Sequence, residues 1–228
     1  NKSINEVKAK NIFKSVKSKT LDGSKDKMKL IEIEVEEKPT GEIFAGAGTG
    51  TSGSSFSFGI KENNYLGTGV NVNTQFSFSD TGIQARITTN NPNFKNTDRS
   101  LSTSVQSSKT DQMSRFGYKT SKTGFSIGTN FEQYEDIYFS PSFSNYFESL
   151  KTSATASDAK KKQKGDYFDS NFNYALTLNK LNQNFQPTAG FRSTFSQTLP
   201  IYSDDYSIEN RYDFAKFFSP NDNAILSF

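Results

Sequence analysis

From Glu42 onward the sequence alternates apolar and polar residues over segments of about ten residues, and this period of two constrains the fold more than any other feature. In the segment 70–78, Val72, Phe76 and Phe78 alternate with asparagine, glutamine and serine. Comparable alternation recurs at 83–88, 125–131, 171–178 and 206–218. Because successive side chains of a strand point to opposite faces, each segment is predicted to be a strand with one apolar and one polar face.

The length of these segments separates two classes of β protein. Strands in soluble sandwiches usually have about 5–6 residues, whereas segments of about ten match a tilted strand that crosses a bilayer. Aromatic residues near the segment ends are typical of an interfacial girdle: Tyr65, Phe94, Phe116, Tyr118, Tyr202 and Tyr206. The predicted fold is therefore mainly β, as part of an antiparallel transmembrane β-barrel. A long-stranded soluble protein, such as an adhesin or a β-solenoid, is the alternative.

The barrel prediction assigns each alternating residue to a face. Lipid contact is expected for Val72, Phe76, Leu176 and Phe214. The opposite, lumen-lining face is expected to carry Asn73, Asn173 and Arg211. An arginine placed on the lipid side should therefore destabilise the protein much more than one placed on the lumen side.

Composition excludes several functions. The chain of 228 residues has 22 Phe and 10 Tyr, but no Cys and no His, which rules out disulfides, thiolate nucleophiles and histidine acid–base catalysis. The net charge of +3 is too small to indicate a nucleic-acid partner. No apolar run is long enough for a membrane-spanning helix. We therefore expect no enzyme activity, no cofactor, no metal site and no bound nucleic acid.

Residues 1–40 have a different pattern, which predicts a small α/β unit. Ser3 and Glu6 have the spacing of a helix capping box. Strands are expected from Phe13 to Leu21 and from Met28 to Glu37, joined by turn residues at Asp22 and Gly23. Such a unit is too small to be stable alone, so it is expected to be the tail of a larger domain.

The connections between strands suggest a topology. Tight turns are expected at Ser79 to Gly82 and at Thr49 to Ser54, and a long polar loop from Lys151 to Gly165. Since outer-membrane barrels have short turns on one side and long loops on the other, we expect the lysine run Lys160 to Lys164 on a cell-surface loop, opposite the tight turns. The run is interpreted as a solvated loop tip, with binding of anionic lipopolysaccharide as the alternative.

Three stretches resemble one known family. The stretch NIFKSVKSKTLDGSKDKMKLIEIEVEEKPTGEI, from Asn11 to Ile43, resembles the end of the last polypeptide-transport-associated (POTRA) repeat of the Omp85 family and its junction with the barrel. FSFGIKENNYLGTG and TNNPNFKNTDRSLS, at 56–69 and 89–102, resemble early barrel strands and turns of that family. The resemblance implies that 1–40 is the end of a periplasmic POTRA repeat and 41–228 the N-terminal portion of a truncated barrel. About ten strands are expected, with another beginning at Ala224 to Phe228.

The resemblance also implies a function: assembly and insertion of outer-membrane proteins at a lateral gate. Its implied partners are unfolded outer-membrane proteins, assembly-complex lipoproteins and outer-membrane lipid, and its implied location is the bacterial outer membrane, with 1–40 in the periplasm. A passive outer-membrane porin and a two-partner-secretion transporter are the alternatives.

The junction supplies the candidate site. Proline cannot donate to a strand ladder, so Pro39 is expected to end the preceding strand, and a hinge is expected at Pro39, Thr40 and Gly41. Glycine weakens strand pairing, so the next segment is expected to expose an edge that an incoming strand can join. The candidate gate residues are Glu42, Ile43, Phe44, Ala45, Gly46, Ala47, Gly48, Thr49 and Gly50. Small residues that merely relieve crowding in the lumen are the alternative explanation.

Overall fold

The structure is a computed structural model that describes residues 12–24, 28–50, 53–183, 187–204, 206–221 and 224–227, together with Ile4 and Val7. Ile4 and Val7 are helical. The rest of the predicted N-terminal helix, including its capping residues Ser3 and Glu6, lies outside the described residues. No helix among the described residues is long and apolar enough to span a bilayer.

The predicted N-terminal hairpin is confirmed. Strands β1 (Phe13–Asp22) and β2 (Lys29–Glu37) form a two-stranded antiparallel sheet in which Val16 is paired with Val35. Lys14 Nζ and Glu36 Oε1 lie 2.8 Å apart across this sheet. One further backbone bond follows β2, from Lys38 N to Ile12 O at 3.2 Å. The pairing ends there because Pro39 has no N–H to donate.

The remaining strands form one sheet of eleven, each paired antiparallel with its neighbours in sequence. They are β3 (Gly41–Gly50), β4 (Gly53–Tyr65), β5 (Val70–Ser79), β6 (Gly82–Asn91), β7 (Ser100–Gln112), β8 (Tyr118–Tyr134), β9 (Ile137–Thr152), β10 (Gly165–Asn179), β11 (Gly190–Tyr202), β12 (Glu209–Asn221) and β13 (Ala224–Ser227). Within the described ranges, β3 and β13 are the edges of this sheet. The expected number of strands is confirmed, while Phe228 lies outside those ranges.

Pairing across the sheet gives it two chemically different faces. In one register row, Phe131, Phe139, Leu176, Phe195 and Tyr212 lie side by side. We call the face that carries them the apolar face, and it also carries Val72, Phe76 and Phe214. The opposite or polar face carries Asn73, Asn173 and Arg211. The predicted alternation is therefore confirmed at all seven residues.

The apolar face is not covered by other parts of the chain. Phe125, Leu176 and Phe214 keep 49%, 43% and 50% of their surface exposed, whereas among the described residues only Leu150 and Ala156 are buried apolar residues. A soluble protein would bury such a face, because exposed apolar patches of this extent favour association. The pattern is typical of strands that face lipid tails.

The prediction that long loops and tight turns lie at opposite ends of the sheet is wrong. Each hairpin reverses direction, so the connections that follow β3, β5, β7 and β9 all share one end, which we call the far end because it lies away from Pro39. The two-residue turn at Asp80 and Thr81 and the long β9–β10 connection both lie there. Asp111 N donates to Thr81 O at 2.6 Å, and Ser153 N donates to Gly117 O at 2.7 Å, which links the neighbouring connections.

The long connection is also shorter and more ordered than predicted. β9 continues to Thr152, so the connection occupies only 153–164. The short helix α1 (Met113–Phe116) lies in the β7–β8 connection, and a second short helix, α2 (Asp158–Lys162), lies in the β9–β10 connection. Ser157 is the N-cap of α2, and its hydroxyl accepts a hydrogen bond from Lys160 N at 3.3 Å.

Candidate functional site

The candidate gate residues form a regular edge strand. All of β3 is exposed, and it has β4 as its single partner in the described part of the chain. The pairing is continuous from Gly41 opposite Glu62 to Gly50 opposite Gly53. The other edge of β3 therefore presents backbone N–H and C=O groups that no described strand pairs with, which is the chemical basis of strand addition.

On the apolar face, β3 contributes little bulk after Ile43, which lies opposite Ile60. Ala45 lies opposite Phe58, and Ala47 lies opposite Phe56. The aromatic packing continues away from the edge, since the rings of Phe58 and Phe76 stack with their centroids 5.1 Å apart. Aromatic pairs of this kind stabilise the sheet at β4 and β5. The edge strand therefore has a neighbour stabilised by aromatic packing, while its own residues from Ala45 to Gly50 have small side chains.

On the polar face, the glycines of β3 are not required by space. A Cβ built on Gly46 would lie 3.4 Å from Ser57 Oγ, and one on Gly48 would lie 3.6 Å from Ser55 Oγ. Both distances are ordinary contacts, and neither glycine has a positive φ. By contrast, a Cβ on Gly124 would lie 2.2 Å from Asn145 O. Crowding among the described residues thus explains Gly124 but does not explain Gly46 or Gly48.

Phe44 is a large apolar residue on the polar face of β3. It lies on the polar face opposite Gly59, and a Cβ on Gly59 would lie 2.4 Å from both Phe44 Cζ and Thr74 O. The ring therefore occupies the space above a buried glycine. Gly59 was not among the predicted site residues, although a glycine inside an alternating strand signals a close approach by a neighbour.

The predicted hinge is tied to β4. The Thr40 hydroxyl donates to the Glu62 carboxylate, and Asn63 Nδ2 donates to Thr40 O at 3.4 Å. Glu62 also accepts a bond from Asn64 N at 2.8 Å, where the β4–β5 register shifts. Glu62 was not among the predicted site residues. Its signal in the sequence is a carboxylate that follows Phe58 and Ile60 at the alternating positions where an apolar residue is expected. Whether Pro39, Thr40 and Gly41 bend stays a prediction.

An open cavity of about 840 Å³ lies beside this connection. Its walls come from the first hairpin unit and from two turns at the Pro39 end of the sheet, and they include Ile12, Asn63, Asn71, Asn91, Asn93 and Lys95. Each asparagine side chain offers both a hydrogen-bond donor and an acceptor, so it can pair with the C=O and the N–H of a peptide group. In the residues that the structure describes, no group of three acidic side chains could hold a metal ion.

A large antiparallel sheet with long strands, one exposed apolar face and one polar face is the architecture of a membrane β-barrel wall. The family comparison names this class more closely. The model of the Omp85 superfamily domain matches residues 64–228, well over half of the sequence, and the chain belongs to this superfamily. No protein with a curated description matches the sequence itself.

Solved structures share most of the fold. Among them is the crystal structure of BamA from Haemophilus ducreyi lacking POTRA domains 1–3, with a TM-score of 0.71 and 20% sequence identity. The match covers 96% of this chain and 45% of the BamA chain, so the sequence spans less than half the length of that relative.

Proposed function

We propose that this chain is the part of an outer-membrane assembly factor at which unfolded outer-membrane proteins are received and inserted. Membership of the Omp85 superfamily and the likeness of the fold to BamA support this class of function, and neither favours a passive porin. The observation that carries the mechanism is the state of β3: an exposed edge strand whose Gly46 and Gly48 are not required by local space.

The mechanism uses the backbone of β3. Its free edge pairs with an incoming strand, which adds to the sheet by antiparallel hydrogen bonding. Glycine and alanine have low strand propensity, so a seam formed at β3 closes weakly and opens at low cost. The aromatic rings on β4 and β5 hold the rest of the sheet while the seam opens. The step needs no nucleotide, metal or covalent intermediate.

The same proposal fixes the orientation in the membrane. The apolar face contacts lipid tails and the polar face lines a lumen. Residues 1–40 are the end of a periplasmic POTRA repeat, so the Pro39 end of the sheet faces the periplasm and the far end faces the cell surface. Assembly-complex lipoproteins are the proposed partners on the periplasmic side, and the bacterial outer membrane is the proposed location.

Site-specific photo-crosslinking in cells tests this function. A photoreactive residue at Ala47 on β3 should form adducts with an outer-membrane protein whose assembly has been stalled. The matched control is Ala85, which lies on the same face but on β6, inside the sheet. Adducts at Ala47 and none at Ala85 support strand capture at the edge. Equal yields at both residues, or none at Ala47, would contradict it.

A further inference from the structure

Three lysines that are distant in sequence meet on the apolar face near the far end. Lys119 of β8 and Lys151 of β9 are direct register partners. Lys109 of β7 is paired with Ser121, which places it diagonally opposite Lys119. Directly opposed residues have Cα atoms about 4.5–5.5 Å apart and diagonal neighbours about 7–8 Å. We call Lys109, Lys119 and Lys151 the lysine cluster.

The charge of the cluster is only partly compensated within the described structure. Like charges directly opposite each other destabilise a sheet, yet none of the three lysines has an ion-pair partner among the described residues. Asp111 lies opposite Lys119, but its carboxylate accepts a bond from Met113 N at 3.0 Å at the start of α1. Asp166 lies on the same face opposite Ser149 and makes no ion pair with the cluster. Counting both carboxylates, the patch keeps a positive charge.

A shallow depression of about 280 Å³ lies between the lysines. Besides the cluster, its walls include Thr120, Ser121 and Ser149, and the two serines lie on the same face as the lysines. Ammonium groups and hydroxyls are hydrogen-bond donors, and charged donors bind phosphate oxygens more strongly than neutral ones. The chemistry of the depression therefore suits a phosphate group.

The position of the cluster identifies the source of that phosphate. On the same strands and the same face, the exposed apolar residues Val105, Phe125 and Phe147 lie four to six residues closer to the middle of the sheet. At about 3.3 Å per residue, the lysines lie roughly 13–20 Å from the last apolar side chains of their own strands. On the neighbouring strand β6, exposed Ile83 is the direct register partner of Lys109, so the cluster borders the apolar surface. Long lysine stems reach along such a border and keep the ammonium in the polar headgroup layer.

The geometry points to a binding site for the phosphate of an anionic membrane lipid at Lys109, Lys119 and Lys151. The inference rests on the proposed function only in placing the apolar face in a membrane. The lysine run Lys160 to Lys164, the obvious basic feature of the sequence, is not the site. Lys160 Nζ lies 5.1 Å from the Tyr118 ring centre, and Lys161 Nζ lies 3.7 Å from Asp158 Oδ1.

Native mass spectrometry of the full-length protein in neutral detergent tests the site. The probes are phosphatidylglycerol, zwitterionic phosphatidylcholine and sodium phosphate. Replacing all three lysines (Lys109→Gln, Lys119→Gln and Lys151→Gln) should weaken phosphatidylglycerol binding roughly a hundredfold. Lys160→Gln, Lys161→Gln and Lys162→Gln remove the same charge from α2 and should leave binding unchanged. Phosphatidylcholine should bind weakly to every variant.

A single variant separates lipid binding from a structural role. Lys151→Gln removes the like charge opposite Lys119 and leaves Lys119 opposite Asp111, so it should raise thermal stability without lipid and lower phosphatidylglycerol affinity at the same time. A loss of both would indicate a structural lysine and overturn the proposal. Two other results would also overturn the proposal. One is an equal loss of phosphatidylglycerol binding in the cluster and α2 variants, and the other is binding of sodium phosphate to the cluster when the lipid does not bind. Insertion of a substrate protein, assayed separately, reports on the proposed function and does not enter this test.

Discussion

Phe44 of β3 lies directly opposite Gly59 of β4, and its ring occupies the space that a side chain at residue 59 would need. This is the one large apolar side chain on the polar face of the edge strand. The contact gives β3 a specific attachment to β4, while the residues that follow Phe44 on that face are glycines. The contact with Gly59 therefore fixes the register of β3 on β4, whereas the glycines that follow Phe44 add few side-chain contacts.

Gly59→Ala should destabilise the protein. The new methyl group would lie 2.4 Å from both Thr74 O and the Phe44 ring, so the backbone or the ring must shift, at a cost of about 1–3 kcal/mol. Thermal unfolding of the full-length protein, followed by its electrophoretic shift, measures the loss. Gly46→Ala is the control, because its methyl group has room. Equal melting temperatures for the two variants would show that the ring does not fill this space.

Leu176→Arg and Asn173→Arg test the assignment of the faces. Both residues lie on β10, Leu176 on the apolar face and Asn173 on the polar face, where its Nδ2 donates to Ser144 Oγ at 3.1 Å. An arginine facing lipid near the middle of the bilayer should cost roughly 2–4 kcal/mol. Losing the Asn173 hydrogen bond should cost about 1 kcal/mol. Denaturant titration in lipid vesicles measures both, and equal losses would refute the register.

The connection 153–164 should be cut by protease added to intact cells. The reason is strand parity: this connection lies at the end of the sheet opposite Pro39, which the proposal places in the periplasm. Trypsin has candidate sites at Lys160, Lys161 and Lys162 in α2. The matched site is Lys95 in the turn after β6, at the Pro39 end, which should be cut only after the outer membrane is opened. The reverse order would invert the proposed orientation.

Gly46→Val together with Gly48→Val should slow insertion of substrate proteins. β-Branched residues favour strand pairing by up to about 1 kcal/mol, and a Cβ at each of these residues makes only an ordinary contact with Ser57 or Ser55. The seam should then stay closed longer while the sheet remains folded. The rate of assembly of a reporter outer-membrane protein measures this effect. A normal rate in a correctly folded variant would show that weak pairing at β3 is not needed.

The sequence predicted the features that depend on local pattern. Alternation assigned Val72, Leu176 and Arg211 to the correct faces, because side-chain direction follows directly from strand geometry. It underestimated β8 and β9, which have 17 and 16 residues. Their far-end portions carry residues such as Lys119 and Ser121 on the apolar face, so the apolar alternation fades before the strands end.

Features that depend on register could not be predicted. The lysine cluster joins residues from three strands, and the bond between Thr40 and Glu62 joins residues 22 positions apart. The end of the sheet at which each loop lies depends on counting every strand, and an expectation based on loop length alone placed Lys160 to Lys164 opposite the tight turns. The assignment of 1–40 and 41–228 to two domains stays a prediction, as does the absence of enzyme activity.

The most direct test of the edge-strand mechanism is a disulfide that locks β3. The chain has no native cysteine, so engineered pairs act alone in this region. One pair joins Gly46→Cys to a cysteine on the last barrel strand of the full-length protein. The control pair, Gly46→Cys with Ser57→Cys, joins direct register partners on β3 and β4 and leaves the free edge untouched.

The rate of outer-membrane protein assembly is measured in cells under oxidising conditions and again after reduction. The edge-strand mechanism predicts that the seam disulfide stops assembly and that reduction restores it, while the β3–β4 disulfide has little effect. Assembly at the normal rate with the seam fully locked would contradict the proposal that β3 must open to receive substrate strands.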